Sequence, residues 1–410
     1  MKSVGSKQRD VKNANHRLII TKLRQYDLLS RSELARMLSL SAPSISKNVD
    51  DLISRQVLLE TGTVATNLGR RPSLISINRQ YGCVAALDFS STDIRVAIAN
   101  MKAEMIDYGT VSGVSILGME HIQMAIDLLK EMLERHHVSD RLLSISIGTP
   151  GDIDQETGYF LYAPRFVRCK EINLQAIFTE AFHVGVLVKN DVNLATMGEY
   201  LFGAGTGFHH LLYIAVDYGI GSGMILDGNL YEGSQGFSGE IGLWLLDTQQ
   251  AYQCYKNGTL SEQIGLDSVV SCFAIREQIR HRLSARENSI LTNWVKKPDE
   301  VSLDLILDAY RLRDKLCVDV VEEAAVRFAC ALKNMIDFLD VEVVIISGLA
   351  KKFGENYLEI IRQFLEKVQP THPPRLMWSK LGDEAVLYGA IGDALQYAFD
   401  QIVMQSDESK

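Results

Sequence analysis

No stretch of this 410-residue chain approaches the roughly 18 consecutive apolar residues that a bilayer span requires. The opening MKSVGSKQRDVKNANHR is basic and polar and has no apolar h-region. That excludes a secretory signal and makes the cytoplasm the expected compartment. Cysteine is sparse. The six (Cys83, Cys169, Cys254, Cys272, Cys317, Cys330) are scattered, and none falls in CxxC or another metal-ligand spacing. Most are expected to be small buried hydrophobes of a reducing compartment; no cofactor is expected. What is present is ordinary for a globular protein, 47% hydrophobic and 23% charged, but too long for one core. Two or three domains are expected.

Charge divides the chain. Residues 1–80 carry 14 Lys+Arg against 6 Asp+Glu, a net of +8; the remainder carries 28 against 45, a net of −17. A basic head on an acidic body points to a polyanion as the head's partner. Apolar positions Leu18, Ile19, Ile20 and Leu23 predict an amphipathic helix over 11–25. Ser30-Arg31-Ser32-Glu33 is a capping box opening a short helix, 31–38. Ser41 caps a further helix to about Arg55, with Pro43 tolerated in its first turn. Short helix, turn and capped second helix is a helix-turn-helix. The second helix presents Ser41, Ala42, Pro43, Ser44, Ser46 and Lys47, small, hydrogen-bonding or cationic residues suited to base edges and phosphates. Leu58 to Asn78 predicts a β-hairpin wing with Gly69-Arg70-Arg71-Pro72 at its tip; Arg70 and Arg71 would clamp phosphates or enter a minor groove. A protein-interaction cap is the competing reading of the head.

The body predicts two βββαβα-like halves, starting near 81 and near 211. The first has strands at 83–89, 94–99, 105–110, 142–147 and 186–188, with helices at 119–136, 173–182 and 192–202. The second has a hairpin from Tyr213, helices at 262–285, 302–313 and 315–338, a strand at 341–346, then helices at 354–367 and 385–398. Two α/β lobes with a ligand cleft between them are expected. The glycine-dense stretch YIAVDYGIGSGMILDGNLYEGSQGFSGEIG, Tyr213 to Gly242, lies at the start of the second half. Glycine there allows turns and close backbone approach to a ligand, although glycine motifs alone are weak signals.

That stretch, with Asp88, the Gly148–Gly151 loop and Asn190-Asp191 upstream of it, resembles the ROK family (repressor, open reading frame, kinase). The family has the actin-like ATPase/hexokinase (ribonuclease H-like) two-lobed α/β fold. The basic winged head resembles the repressor branch, which regulates sugar genes; the kinase branch lacks it. The resemblance implies a winged helix-turn-helix over 1–80, an N-terminal α/β lobe over 81–200 and a C-terminal α/β lobe over 201–410. It implies sugar contacts by Asn190, Asp191 and Glu240, with Thr149 and Gly151 beneath the sugar. Glu262, with Ser261 as the neighbouring alternative, matches a further sugar-contacting Glu. Arg165 falls where the family often has Asn and suits an anionic sugar derivative; a surface ion pair is the other reading.

Departures from the family pattern bear on activity. A kinase has a glycine-rich DxGGT turn; this chain has Asp88-Phe89-Ser90-Ser91-Thr92. A kinase has Gly-Thr ahead of GIG; this chain has Asp217-Tyr218, a carboxylate and a phenol where a triphosphate would lie. Where the family's zinc site has His, this chain has Leu243, and Cys254 alone remains of the cysteine cluster. The expectation is therefore a repressor that is not an enzyme, with no catalytic residue and no zinc. It would bind a palindromic double-stranded DNA operator as a homodimer or homotetramer and respond to a sugar or phosphosugar, without membrane association. An ATP-dependent sugar kinase with an appended DNA-binding head is the alternative.

Overall fold

The computed structural model describes residues 4–63, 73–90, 93–113, 117–153, 157–162, 166, 171–234, 236–259, 265–368 and 372–405. They divide into two compact units: Met1–Lys189 with Ala390–Lys410, and Asn190–Gly389. The expected lobe boundary at 200 differs from this division, which falls before the helix that opens at Asp191.

The first unit begins with a helical head. Helix α1 (Val4–Tyr26) starts earlier than its apolar pattern predicts and buries Ile19, Ile20 and Leu23. Strand β1 (Leu29–Ser30) delivers the cap of α2 (Arg31–Leu38). Ser30 Oγ accepts the Glu33 N–H at 3.2 Å, and the Glu33 carboxylate accepts the Ser30 N–H at 2.8 Å, the reciprocal pair of a capping box. Ser39 turns left-handed (φ 53°) and ends α2. Ser41 then caps α3 (Ala42–Ser54), which buries Ile45, Val49 and Leu52 at helical spacing. Strands β2 (Leu58–Thr63) and β3 (Ser73–Ile77) form the antiparallel wing. β1 pairs with the other side of β3, giving the order β1-β3-β2. The wing tip, with Gly69 to Pro72, lies outside the described residues.

The head leads into a meander, β4 (Cys83–Asp88), β5 (Ile94–Asn100) and β6 (Met105–Val111). Helix α4 (Met119–Arg135) returns the chain to β7 (Leu142–Thr149), which pairs parallel with β4. A short pair, β8 (Asp152–Ile153) and β9 (Phe160–Tyr162), precedes α5 (Leu174–Phe182) and β10 (Gly185–Asn190). The five-stranded order is β10-β7-β4-β5-β6. β4 is buried along its whole length, so CVAALD reads as a continuous apolar run rather than an alternation. Phe89, Phe160, Phe166 and Phe178 fill one side of this core.

The second unit repeats that plan. Helix α6 (Asp191–Phe202) leads to β11 (Leu211–Val216), β12 (Ile220–Leu226) and β13 (Asn229–Leu230). Helices α7 (Thr248–Lys256), α8 (Asp267–Val270), α9 (Cys272–Ser284), α10 (Leu303–Arg311) and α11 (Lys315–Leu339) follow. Then come β14 (Val343–Ser347), α12 (Glu355–Val368), β15 (Arg375–Trp378) and α13 (Ala385–Met404). The sheet order is β13-β12-β11-β14-β15, with β11 antiparallel to β12 and parallel to β14. Read from the other edge, it is the strand order of the first sheet: a duplicated meander with a parallel return strand.

Three elements of the second unit depart from the pattern expected of the sequence. No helix is expected at 248–256, yet α7 forms there, capped by Asp247. The continuous helix expected over 262–285 is broken at Ser271, whose hydroxyl accepts the Ala274 N–H at 3.1 Å and starts α9 afresh. β15, only four residues long and directly after Pro373-Pro374, carries no alternation to reveal it. In α6 and the first turn of α13, glycines meet backbone. A Cβ on Gly198 would sit 2.2 Å from the Ala385 carbonyl oxygen, and one on Gly389 1.8 Å from the Leu194 carbonyl oxygen. Within the first unit, the later turns of α13 hold the head. Arg17 pairs with Asp400 at 2.6 Å, and Arg24 donates to Gln396 at 2.9 Å and lies over the Phe399 ring.

Candidate functional site

The head's candidate surface is the N-terminal half of α3. Ser41, Ala42, Pro43 and Lys47 are exposed, Ser44 and Ser46 half-buried. The turn that displays them is fixed from beneath by buried Ile45 and by Asn48, which donates to the Ser44 carbonyl at 2.8 Å. Lys47 makes no ion pair among the described residues. Much of the head's positive charge is used internally. Arg17 and Arg24 are committed to α13, and Arg24 is so desolvated that its pKa falls to about 10. Arg31 bridges Asp50 and Glu60, Lys12 pairs with Asp51, and Arg55 donates to the Ile402 carbonyl. Of these acidic partners only Asp400 lies outside residues 1–80, so the head's net charge already counts the others, and Lys47 is the exposed cation on α3 itself. Arg70 and Arg71 lie outside the described residues.

In the first unit, Thr149 ends β7. It is fully buried, and its Oγ1 has no hydrogen-bond partner among the described residues. An unsatisfied buried hydroxyl costs about 1–3 kcal/mol, which a ligand's polar group would recover. Gly151 follows at φ 100°. Arg165 lies outside the described residues. At the end of β4 the buried Asp88 carboxylate accepts the Ser90 N–H at 2.8 Å and the Ser90 hydroxyl at 2.5 Å, with Arg95 3.4 Å away.

In the second unit, Asn190 and Asp191 open α6. Asn190 Oδ1 accepts the N–H groups of Val192 (2.9 Å) and Asn193 (3.2 Å), and Asp191 Oδ1 also accepts that of Val192 (2.9 Å). These half-buried side chains are therefore oriented by the helix they cap. Glu240 is exposed on the glycine loop, which Ser222 anchors by donating to the Gly239 carbonyl at 2.8 Å. Glu262 and Ser261 lie outside the described residues. Among the described residues no three His, Cys, Asp or Glu side chains converge as a metal site.

The glycine turn after β11 carries Asp217 and Tyr218. Asp217 turns away from solvent, and its Oδ1 accepts the Leu349 N–H at 2.8 Å. Burial pushes its carboxyl up, opposed by that N–H and by Lys352. Tyr218, beside it, is exposed under the guanidinium of Arg276. On the other side of the turn Asp267 Oδ1 accepts the Ile220 N–H at 2.6 Å, and burial raises that carboxyl too. An open pocket of about 690 Å³ adjoins it, lined by Tyr218, Asp267, Ser271, Phe273, Glu277 and His281 among others. Asp267 was invisible in the sequence, because 47 residues separate it from the amide it holds.

The family model for ROK matches residues 84–396, well over half of the chain. The chain belongs to the ROK family. Its duplicated sheets and its glycine hairpin are those of the ROK domain, and the helical head lies outside the matched span. A xylose repressor of Caldicellulosiruptor bescii is 26% identical over 391 residues, covering 93% of this chain and 95% of that protein. A crystal structure of a ROK family transcriptional regulator, a homologue of the E. coli Mlc protein, superposes with a TM-score of 0.80 at 24% identity, covering 97% of this chain and 98% of that one. The ROK hexokinase of Thermus thermophilus superposes at 0.65 and 24% identity, covering 78% of this chain but 99% of its own. The fold of head and ROK domain together is thus that of the regulator structure, and the kinase fold accounts for only part of the chain.

Proposed function

We propose that this ROK protein is a sugar-responsive transcriptional repressor. Its α2–turn–α3 head binds a palindromic operator and its ROK domain senses a sugar. The observation that carries this is full-length similarity to proteins named xylose repressors, together with a capped α3 that exposes Ser41, Ala42, Pro43 and Lys47. Xylose is accordingly the first effector to test. Asn190, Asp191, Glu240, Thr149 and Gly151 are the proposed sugar contacts, Asp191 as a hydrogen-bond partner of a hydroxyl rather than a general base. A homodimer or homotetramer would present two heads to half-sites one helical turn apart. Among the described residues no helix is long and apolar enough to cross a membrane, and the cytoplasm is the proposed compartment.

Operator capture tests it: DNA fragments selected from a genomic pool by the full chain should share an inverted repeat. Random recovery of sequence would refute operator recognition.

The second reading, a sugar kinase with a DNA-binding head, draws on the ROK kinases of related fold. The turn after β11 weighs against it, because a phosphate there would meet the carboxylate of Asp217. A coupled assay with ATP, magnesium and a sugar panel decides. Turnover lost in Asp191→Asn would favour the kinase, and no turnover is the proposed result.

A further inference from the structure

Two strands of the first unit end at proposed sugar contacts, and both are tied to one turn of α13. On β7, ahead of Thr149, the buried Ser146 hydroxyl donates to Asp393 Oδ2 at 2.8 Å. The buried Ser144 hydroxyl donates to the neighbouring Ala394 carbonyl, also at 2.8 Å. Strand alternation puts Ser144 and Ser146 on the same face of β7, so both reach the same helix. On β10, Lys189 directly precedes Asn190-Asp191, and its ammonium lies 3.5 Å from Asp393 Oδ1. The buried Asp393 carboxylate therefore takes β7 on one oxygen and β10 on the other.

The same helix goes on to hold the head. Two turns beyond Asp393, about 10 Å of helix rise, lies Asp400, paired with Arg17 at 2.6 Å. Between them Gln396 accepts from Arg24 at 2.9 Å, and the Phe399 ring lies under the same guanidinium. Further along, the Ile402 carbonyl accepts from Arg55, the residue that closes α3. One helix thus grips the two sugar-bearing strands at one turn, and α1 and the end of α3 at the turns that follow. A helix is a rigid element and passes a displacement from one such grip to the next.

We propose that Asp393 is a positioning residue that makes α13 the link between the sugar contacts and the DNA-reading head. A sugar that draws on Thr149 or Asn190-Asp191 shifts β7 or β10, and Ser146 and Lys189 hand that shift to Asp393. Helix α13 then carries it to Arg24 and Arg17 of α1 and to Arg55 beside α3. This link rests on the regulator reading and names the path by which its sugar site governs its DNA surface. Removing it leaves each binding event in place and removes the dependence of one on the other.

The test measures the affinity of the full chain for a captured operator fragment by anisotropy, with and without xylose, and xylose affinity by calorimetry without DNA. Wild type should change operator affinity by about 5–150-fold on adding xylose. Asp393→Asn keeps the side chain's shape and an acceptor for Ser146 but loses the charge that faces Lys189. It should bind xylose and DNA, each measured alone, within about threefold of wild type, while the coupling between them falls toward unity. The double variant Lys189→Met/Asp393→Asn leaves neither charge unpaired, guards against loss of fold, and should lose coupling to the same extent. Folded variants that bind both partners and keep the wild-type coupling would overturn the proposal. Wild type in which xylose leaves operator affinity unchanged strikes the regulator reading instead, and hydrogen exchange without sugar or DNA then decides the link. Asp393→Asn should lower protection in α1 as well as in α13, and a loss that stops at α13 would overturn it.

Discussion

Lys47 is the exposed cation on α3, and its neighbours Ser41, Ala42, Pro43, Ser44 and Ser46 are small enough to let it approach a groove. Lys47→Glu should lower operator affinity by tenfold or more and reduce the salt slope, by about one unit for the lost phosphate contact, while sugar binding stays unchanged. Anisotropy titrations at several salt concentrations check this; an unaltered slope would remove Lys47 from the interface. The capping residue Ser30 makes a separate prediction. The Ser30 N–H, then the Ser30 hydroxyl, hold the Glu33 carboxyl below its ordinary 4.5. A depressed folded pKa means the cap's contribution is present above the ordinary value and lost as pH falls through the folded one. Ser30→Ala should cost about 1 kcal/mol at neutral pH. Hydrogen exchange at the α2 amides, followed from pH 7 down to pH 3, should show the acid-induced loosening of wild type blunted in the variant.

At the scale of the element, α13 draws on two kinds of contact: close backbone approach at its first turn and polar side chains further along. Gly389→Ala would place a methyl against the Leu194 carbonyl and should destabilise by about 3 kcal/mol or more, read by urea unfolding. Arg24→Ala removes a half-buried cation that lies over Phe399 and donates to Gln396, and should loosen α1 while sparing the sheets. Protection lost in α1 alone is the expected exchange pattern; uniform loss would contradict it. The elements themselves were largely legible in the sequence. Capping chemistry at Ser30 and Ser41 and the apolar spacing of α3 and α4 located them within a few residues. Helix α7, the break at Ser271 and strand β15 were not legible, because each depends on partners distant in the chain. The candidate sites divide the same way. Asn190-Asp191 and Glu240 stood out through the family pattern. The Asp217–Leu349 and Asp267–Ile220 bonds span 132 and 47 residues and leave no local trace. The head's net charge already subtracts Asp50, Asp51 and Glu60, but it does not record Asp400, the partner that Arg17 finds far along the chain.

In the whole molecule, the proposed DNA-reading head and sugar-sensing ROK domain act on one another through thermodynamic coupling. If sugar alters operator affinity, operator must alter sugar affinity by the same factor, about 5–150-fold for couplings of ordinary size. The most direct measurement is operator affinity of the full chain by anisotropy at fixed salt, with and without saturating xylose and then a panel of other sugars and phosphosugars. One of these sugars should shift operator affinity within that range, and Asp191→Ala and Glu240→Ala should abolish the shift while leaving DNA binding intact. A sugar that binds the protein and leaves operator affinity unchanged would contradict it.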